Sequence, residues 1–150
     1  FKKLDYQYLP LNNVDDLARW QQEGYRGLNL NGGIYRWPNV MPEWCNDFNG
    51  FQGWKNVFCA IYIMKTCDAL PLHSDAYISY RKKFGIEFDA MRRCIVFLED
   101  WKSGHYFEID GSPLIPWKAG DCVWWESDVP HYAGNFGLND RYTLQITGHI

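Results

Sequence analysis

A chain of 150 residues is of a size to form one domain with a genuine core. Its formal net charge of −3, from 15 Lys and Arg against 18 Asp and Glu, excludes a protein that lives on non-specific phosphate contacts, because no large cluster of cations is present. Aromatic residues make up 18% of the chain, with eight Trp, so much of the core or of a binding cleft is expected to be aromatic.

No run of about 18 apolar residues occurs, so no transmembrane helix is expected. The opening Phe1-Lys2-Lys3-Leu4 lacks the apolar stretch of a signal peptide. The five cysteines, at positions 45, 59, 67, 94 and 122, are odd in number and contain no C-x-x-C pair. Cys59, Cys94 and Cys122 sit in apolar β-type runs and are expected to be buried free thiols. That fits a reducing, cytoplasmic compartment without disulfides or a structural zinc.

Residues 14 to 22 carry the one clear helical pattern. Val14, Leu17, Ala18 and Gln21 repeat at helical spacing, with Trp20 nearby. Asn13 suits the N-cap, Asp15 and Asp16 suit the positive end of the dipole, and Gly24 suits the stop. From Gly27 to Gly53 the chain is rich in Gly, Asn, Pro and Trp without a period, which predicts irregular cover with a short helix near Pro42 to Phe48. Residues 1 to 55 are thus expected to be helix plus cover, and residues 56 to 150 a β core.

Within that core, Val57 to Thr66 reads as a long apolar strand and Leu72 to Tyr77 as a short one. Arg93 to Glu99 alternates, and His105 to Ile109 and Leu114 to Trp117 flank the turn signal Asp110-Gly111-Ser112-Pro113. Cys122 to Trp125 follows the Gly120-Asp121 turn. His131 to Asn135 and Arg141 to Thr147 close the set, joined by Gly137-Leu138-Asn139-Asp140. Many short strands with Gly, Pro and Asp turns predict a mainly β fold, a sandwich or barrel of the jelly-roll type.

Three residues stand out in this frame. His73 and Asp75 are one residue apart, and in an extended segment they share a face, because strand side chains alternate with period two. His131 follows far downstream. Two histidines and one carboxylate are the ligand set of a non-haem Fe(II) site that keeps positions open for substrates. Each residue alone has a bland alternative: a loop histidine, a turn aspartate, a histidine bonded to a carbonyl. Their combination carries the metal reading. Arg141 and Thr143 share one face of the last strand, placing a hydroxyl beside a planar guanidinium fork suited to a carboxylate.

His73 to Gly148 resembles the catalytic core of the 2-oxoglutarate/Fe(II)-dependent oxygenases. Pro116-Trp117-Lys118-Ala119-Gly120-Asp121-Cys122-Val123-Trp124-Trp125, leading to Pro130-His131, is similar to the segment before the distal histidine of the aspartyl/asparaginyl and prolyl hydroxylases. The resemblance implies a double-stranded β-helix of the cupin-like type, Fe(II) held by His73, Asp75 and His131, and 2-oxoglutarate as co-substrate. It further implies that Arg141 grips the distal carboxylate. The Arg-x-Ser pattern of the family stands here as Arg-x-Thr, with Thr143. A tyrosine on the strand before H-x-D contacts the co-substrate in prolyl-hydroxylase-like relatives, which points to Tyr62, with a core tyrosine as the alternative reading of that residue. Aspartyl/asparaginyl hydroxylases usually lack the carboxylate ligand, so Asp75 favours the general H-x-D…H oxygenases.

Other residues are weaker candidates. Arg92 and Arg93 read first as a solvated pair, with the alternative that one faces a pocket and binds an acidic substrate. Asn135 shares the strand face of His131. Tyr77 and Tyr80 are placed to line an entrance. Trp124 and Trp125 point opposite ways, one to the core and one to the cleft. His105 is expected to be structural. The function implied is an oxygenase with a small-molecule co-substrate and an unidentified prime substrate. The alternatives are a cupin-like metal enzyme without 2-oxoglutarate and a non-enzymatic jelly-roll binding module.

Overall fold

The structure is a computed structural model that describes residues 1–8, 14–25, 30 and 32–150. Strand β3 (Lys55–Met64) and strand β10 (Arg141–His149) form its spine, paired antiparallel from Arg141↔Met64 to Thr147↔Phe58. β10 also pairs with β5 (Met91–Phe97), which pairs with β8 (Cys122–Glu126). β1 (Gln7–Tyr8) and β2 (Gly33–Tyr35) extend the other edge, giving the order β1-β2-β3-β10-β5-β8. The second sheet runs β4-β9-β6-β7, from β4 (Ala69–His73), β9 (His131–Asn135), β6 (His105–Ile109) and β7 (Ser112–Pro113). Two antiparallel sheets facing each other, with crossovers between them, are the double-stranded β-helix of a cupin-like jelly roll.

Period-two alternation divides the large sheet into two buried faces. Tyr62, Met64, Ile95 and Phe97 point inward, onto Phe107, Trp117, Trp125 and Ala133 from other strands and loops. Phe97 stacks on Trp117 with ring centroids 4.0 Å apart. Cys59, Ile61, Cys94, Leu144 and Ile146 point outward, under a cover formed by Cys45, Trp54, Trp37, Met41 and Phe48. The apolar Val57-to-Met64 run therefore does not alternate in polarity, because both of its faces are covered.

Helix α1 (Val14–Gln22) has the extent expected. Gly24, with φ of 101°, stops it, and Gly24 N–H donates to Gln21 while Tyr25 N–H donates to Trp20. The expected N-cap, Asn13, lies outside the described residues. Asp110 and Gly111, both at positive φ, make the two-residue hairpin between β6 and β7.

Several expectations need correction. β1 and β2 lie in the stretch expected to be helix and cover; they are two and three residues long and too short to show alternation. The short helix near Pro42 is a 3-10 turn over Glu43–Phe48. The segment expected as a strand over Leu72 to Tyr77 is strand only to His73. Helix α2 (Ile78–Phe84) follows, capped by Gly85 at φ 66°. Leu114 to Trp117 is not a strand; β7 ends at Pro113, and Pro116 has no donor for a ladder. Cys122 faces outward and is exposed, whereas Cys45 is buried; the five thiols are free. Among the described residues no helix is long and apolar enough to cross a membrane.

Candidate metal centre and its cavity

The pairing of β4 with β9 brings the two distant histidines together. His73 and His131 are direct register partners, and their ring centroids are 4.4 Å apart. Each ring is oriented by a carbonyl two residues earlier: His73 Nδ1 lies 2.7 Å from Pro71 O, and His131 Nδ1 lies 3.0 Å from Val129 O. A carbonyl only accepts, so Nδ1 carries the hydrogen in both rings and Nε2 keeps its lone pair. Both Nε2 atoms approach Asp75, His73 at 4.0 Å from Oδ1 and His131 at 3.8 Å from Oδ2. The donor atoms of the three residues lie within 4.8 Å of one another, close to the span of two bonds of ~2.0–2.2 Å. The set can hold a metal ion.

The electrostatics suit that set. Burial would raise the Asp75 carboxyl, but Arg93, then His131 and His73, outweigh it and hold it at about 2. Burial pushes His131 down to about 4, against the pull of Asp75, so its imidazole is neutral at pH 7. An ionised carboxylate and a neutral imidazole are the forms that ligate. Trp125 packs 5.0 Å from the His131 ring, and Trp20 of α1 meets His73 edge-on at 5.8 Å. The Trp20 indole and Arg19 both donate to Leu72 O, fastening α1 beside the site.

Asp75 reaches the cluster by a route other than the one expected. It is not on a strand with His73; β4 stops at His73, and Asp75 lies in the irregular segment before α2.

The three side chains open into a cavity of about 590 Å³ that also receives Tyr62, Arg93, Phe107, Trp125 and Arg141. Arg141 is almost fully buried. Its Nη1 donates to Tyr106 O at 2.7 Å, its guanidinium lies 5.7 Å from the Phe107 ring, and its Nε has no partner. No carboxylate pairs with it among the described residues. Burial lowers it to about 10, so it remains a cation at pH 7. Two residues along the same face, Thr143 is buried with its hydroxyl unpartnered. Tyr62 is the register partner of Thr143, lines the cavity, and has its hydroxyl pKa raised by burial against the pull of Arg141.

Of the arginine pair, Arg93 faces the cavity, whereas Arg92 turns outward to Glu126 at 3.4 Å. Tyr77 and Tyr80 line the cavity. Asn135 does not serve it: its amide donates to Met64 O and Asn139 O, and its carbonyl accepts from Gly137 N–H. His105 is part of the same corner, bonded to Asn139 O. Trp125 is the cavity tryptophan, and Trp124 is exposed. Sequence reasoning missed the Arg93–Asp75 pair, although alternation along β5 already puts Arg93 on the inward face with Ile95 and Phe97.

No protein-family model and no curated protein sequence matches the chain. Among solved structures it is similar to a prolyl-4-hydroxylase from Pseudomonas putida, at 20% identity and a TM-score of 0.59, over 97% of this chain and 91% of that one. It is also similar to a predicted oxalate decarboxylase from Thermotoga maritima, at 13% identity and a TM-score of 0.54, over 99% and 96% of the two chains. Likeness at these identities establishes the shared jelly-roll fold.

Proposed function

We propose that the chain is a non-haem Fe(II) oxygenase that couples decarboxylation of 2-oxoglutarate to hydroxylation of a substrate. His73, Asp75 and His131 are the metal ligands in this reading. Arg141, with Thr143 and Tyr62 beside it, receives the distal carboxylate of 2-oxoglutarate. Iron, when bound, supplies oxygen activation, and the protein supplies geometry and exclusion of water.

The observation that carries the reading is Arg141. A buried guanidinium without an anion is costly, and here it opens into the same cavity as the three ligand-type side chains. A molecule that chelates a metal at one end and ends in a carboxylate satisfies both. Arg141 Nε and the Thr143 hydroxyl are buried donors without a partner on this strand face. Phe107 and Trp125 form an aromatic wall of the cavity between the two polar ends.

The test is succinate release from 2-oxoglutarate with Fe(II) and O₂, with and without a panel of peptides, amino acids and nucleosides. Succinate that requires Fe(II) and Arg141 supports the oxygenase. Metal binding without 2-oxoglutarate turnover supports a cupin-like metal enzyme instead. Absence of any metal binding leaves the non-enzymatic jelly-roll module.

A further inference from the structure

Asp75 is the one candidate ligand whose place no strand determines. Its backbone lies beyond the end of β4, in a segment without regular pairing. The group that meets it comes from the opposite sheet. Arg93 on β5 directs both Nε and Nη2 at one oxygen, Asp75 Oδ2, each at 3.1 Å. Its remaining nitrogen, Nη1, donates to Thr147 Oγ1 at 2.8 Å and reaches Gln145 Oε1 at 3.4 Å. Thr147 is the register partner of Arg93 on β10. Tyr77 covers the guanidinium, its ring centroid 5.2 Å away. All three nitrogens of Arg93 are engaged by the protein, so this cation is not a substrate anchor.

We infer that Arg93 is a positioning residue that holds the Asp75 carboxylate by Oδ2 and so fixes it where the two histidines converge. The inference rests on the metal reading above. A carboxylate free to swing would leave the two histidines without a third ligand in a fixed place. A planar fork, itself fixed by a strand hydroxyl, prevents that. A lysine ammonium has neither the fork nor a second arm for Thr147. Arg93 thereby joins β5, β10 and the loop bearing Asp75 into one support for the site.

The test is Co(II) titration, followed by calorimetry and by the visible absorption of the bound ion. It compares wild type with Arg93→Gln, Arg93→Lys, Thr147→Val, Asp75→Ala and the Asp75→Ala/Arg93→Gln double variant. Loss of a partner that orients a ligand weakens metal binding about 10–100-fold. Arg93→Gln should fall in that range and alter the Co(II) spectrum, and Arg93→Lys should recover only part. Thr147→Val, which loosens the far end of the clamp, should weaken binding less and in the same direction, and it remains informative if Arg93→Gln does not fold. In the Asp75→Ala background Arg93→Gln should add nothing, because Arg93 acts through Asp75. Unchanged or tighter Co(II) binding in Arg93→Gln, full recovery by Lys, or additive losses in the double variant would overturn the inference. Failure of the wild type to bind Co(II) or Fe(II) counts against the metal reading itself, and the inference falls with it.

Discussion

The two faces of β10 differ in whether the protein completes them. Outward, Leu144 and Ile146 pack into Cys59, Ile61, Cys94 and Trp54, and Tyr142 meets Phe1 and Tyr6. That face is apolar and sealed. Inward, Arg141, Thr143, Gln145 and Thr147 are polar on a strand that is buried almost throughout. Gln145 and Thr147 are answered by Arg93, but Arg141 Nε and the Thr143 hydroxyl are not. One strand thus serves stability on one side and, in the proposed function, binding on the other. Substitutions on the outer face should cost folding, and substitutions at the incomplete end of the inner face should cost binding.

The largest effect on folding is expected on the outer face. Ile146 is fully buried, and Ile146→Ala should cost about 2–5 kcal/mol of stability from lost transfer energy and the cavity left behind. Denaturant titration measures this, and the folded fraction should keep the metal and co-substrate affinity of wild type. Arg141→Ala should do the opposite. Removing one member of a buried charge pair costs about 3–5 kcal/mol, and a factor of ten is about 1.4 kcal/mol. Binding of 2-oxoglutarate should therefore weaken by at least roughly a hundredfold. The ligand-free protein should lose much less stability than Ile146→Ala, since the guanidinium it gives up has no anion. A drop in melting temperature as large as that of Ile146→Ala would break the comparison.

Thr143→Val sharpens it. The swap keeps the shape and removes an unpartnered hydroxyl, whose burial costs about 1–3 kcal/mol. The ligand-free variant should be as stable as wild type or more so, while 2-oxoglutarate affinity falls by about tenfold. The smallest effect concerns the outer-face thiols. Burial, with Cys122 nearby, raises Cys94 from 9.0 to about 12. Its folded value lies above its unfolded one, so the stability it contributes is present below about pH 9 and lost as pH rises through about 12. Cys94→Ala should flatten part of that alkaline loss. Thiol reagents should modify exposed Cys67 and Cys122 quickly and Cys45, Cys59 and Cys94 slowly.

The inner face of β10 was legible in the sequence because alternation over Arg141 to Thr147 assigns each side chain to one side, and both borders have turn signals. The histidine pair was legible as residue types; their contact came from the β4–β9 register, which joins strands far apart in the chain. Asp75 misled the reading, since H-x-D in one extended strand predicts a shared face, whereas the strand ends at His73 and a cross-sheet arginine fixes the aspartate. Helix α2 was missed because its seven residues carry a basic run and too few apolar positions for a period, although Gly85 marks its end. Strands β1 and β2 are held by pairing with their neighbours, a tertiary cause that two or three residues of sequence do not record.

The central claim is that the unfinished polar end of the inner face and the His73–Asp75–His131 set receive the two ends of one molecule. Anaerobic calorimetric titration of 2-oxoglutarate tests it most directly, on wild type and Arg141→Ala, each with and without Fe(II). The account predicts tight binding only in Fe(II)-loaded wild type, with Arg141→Ala still binding the metal but weakened for 2-oxoglutarate by at least roughly a hundredfold. Equal affinity in the two proteins, or binding in wild type indifferent to Fe(II), would contradict it.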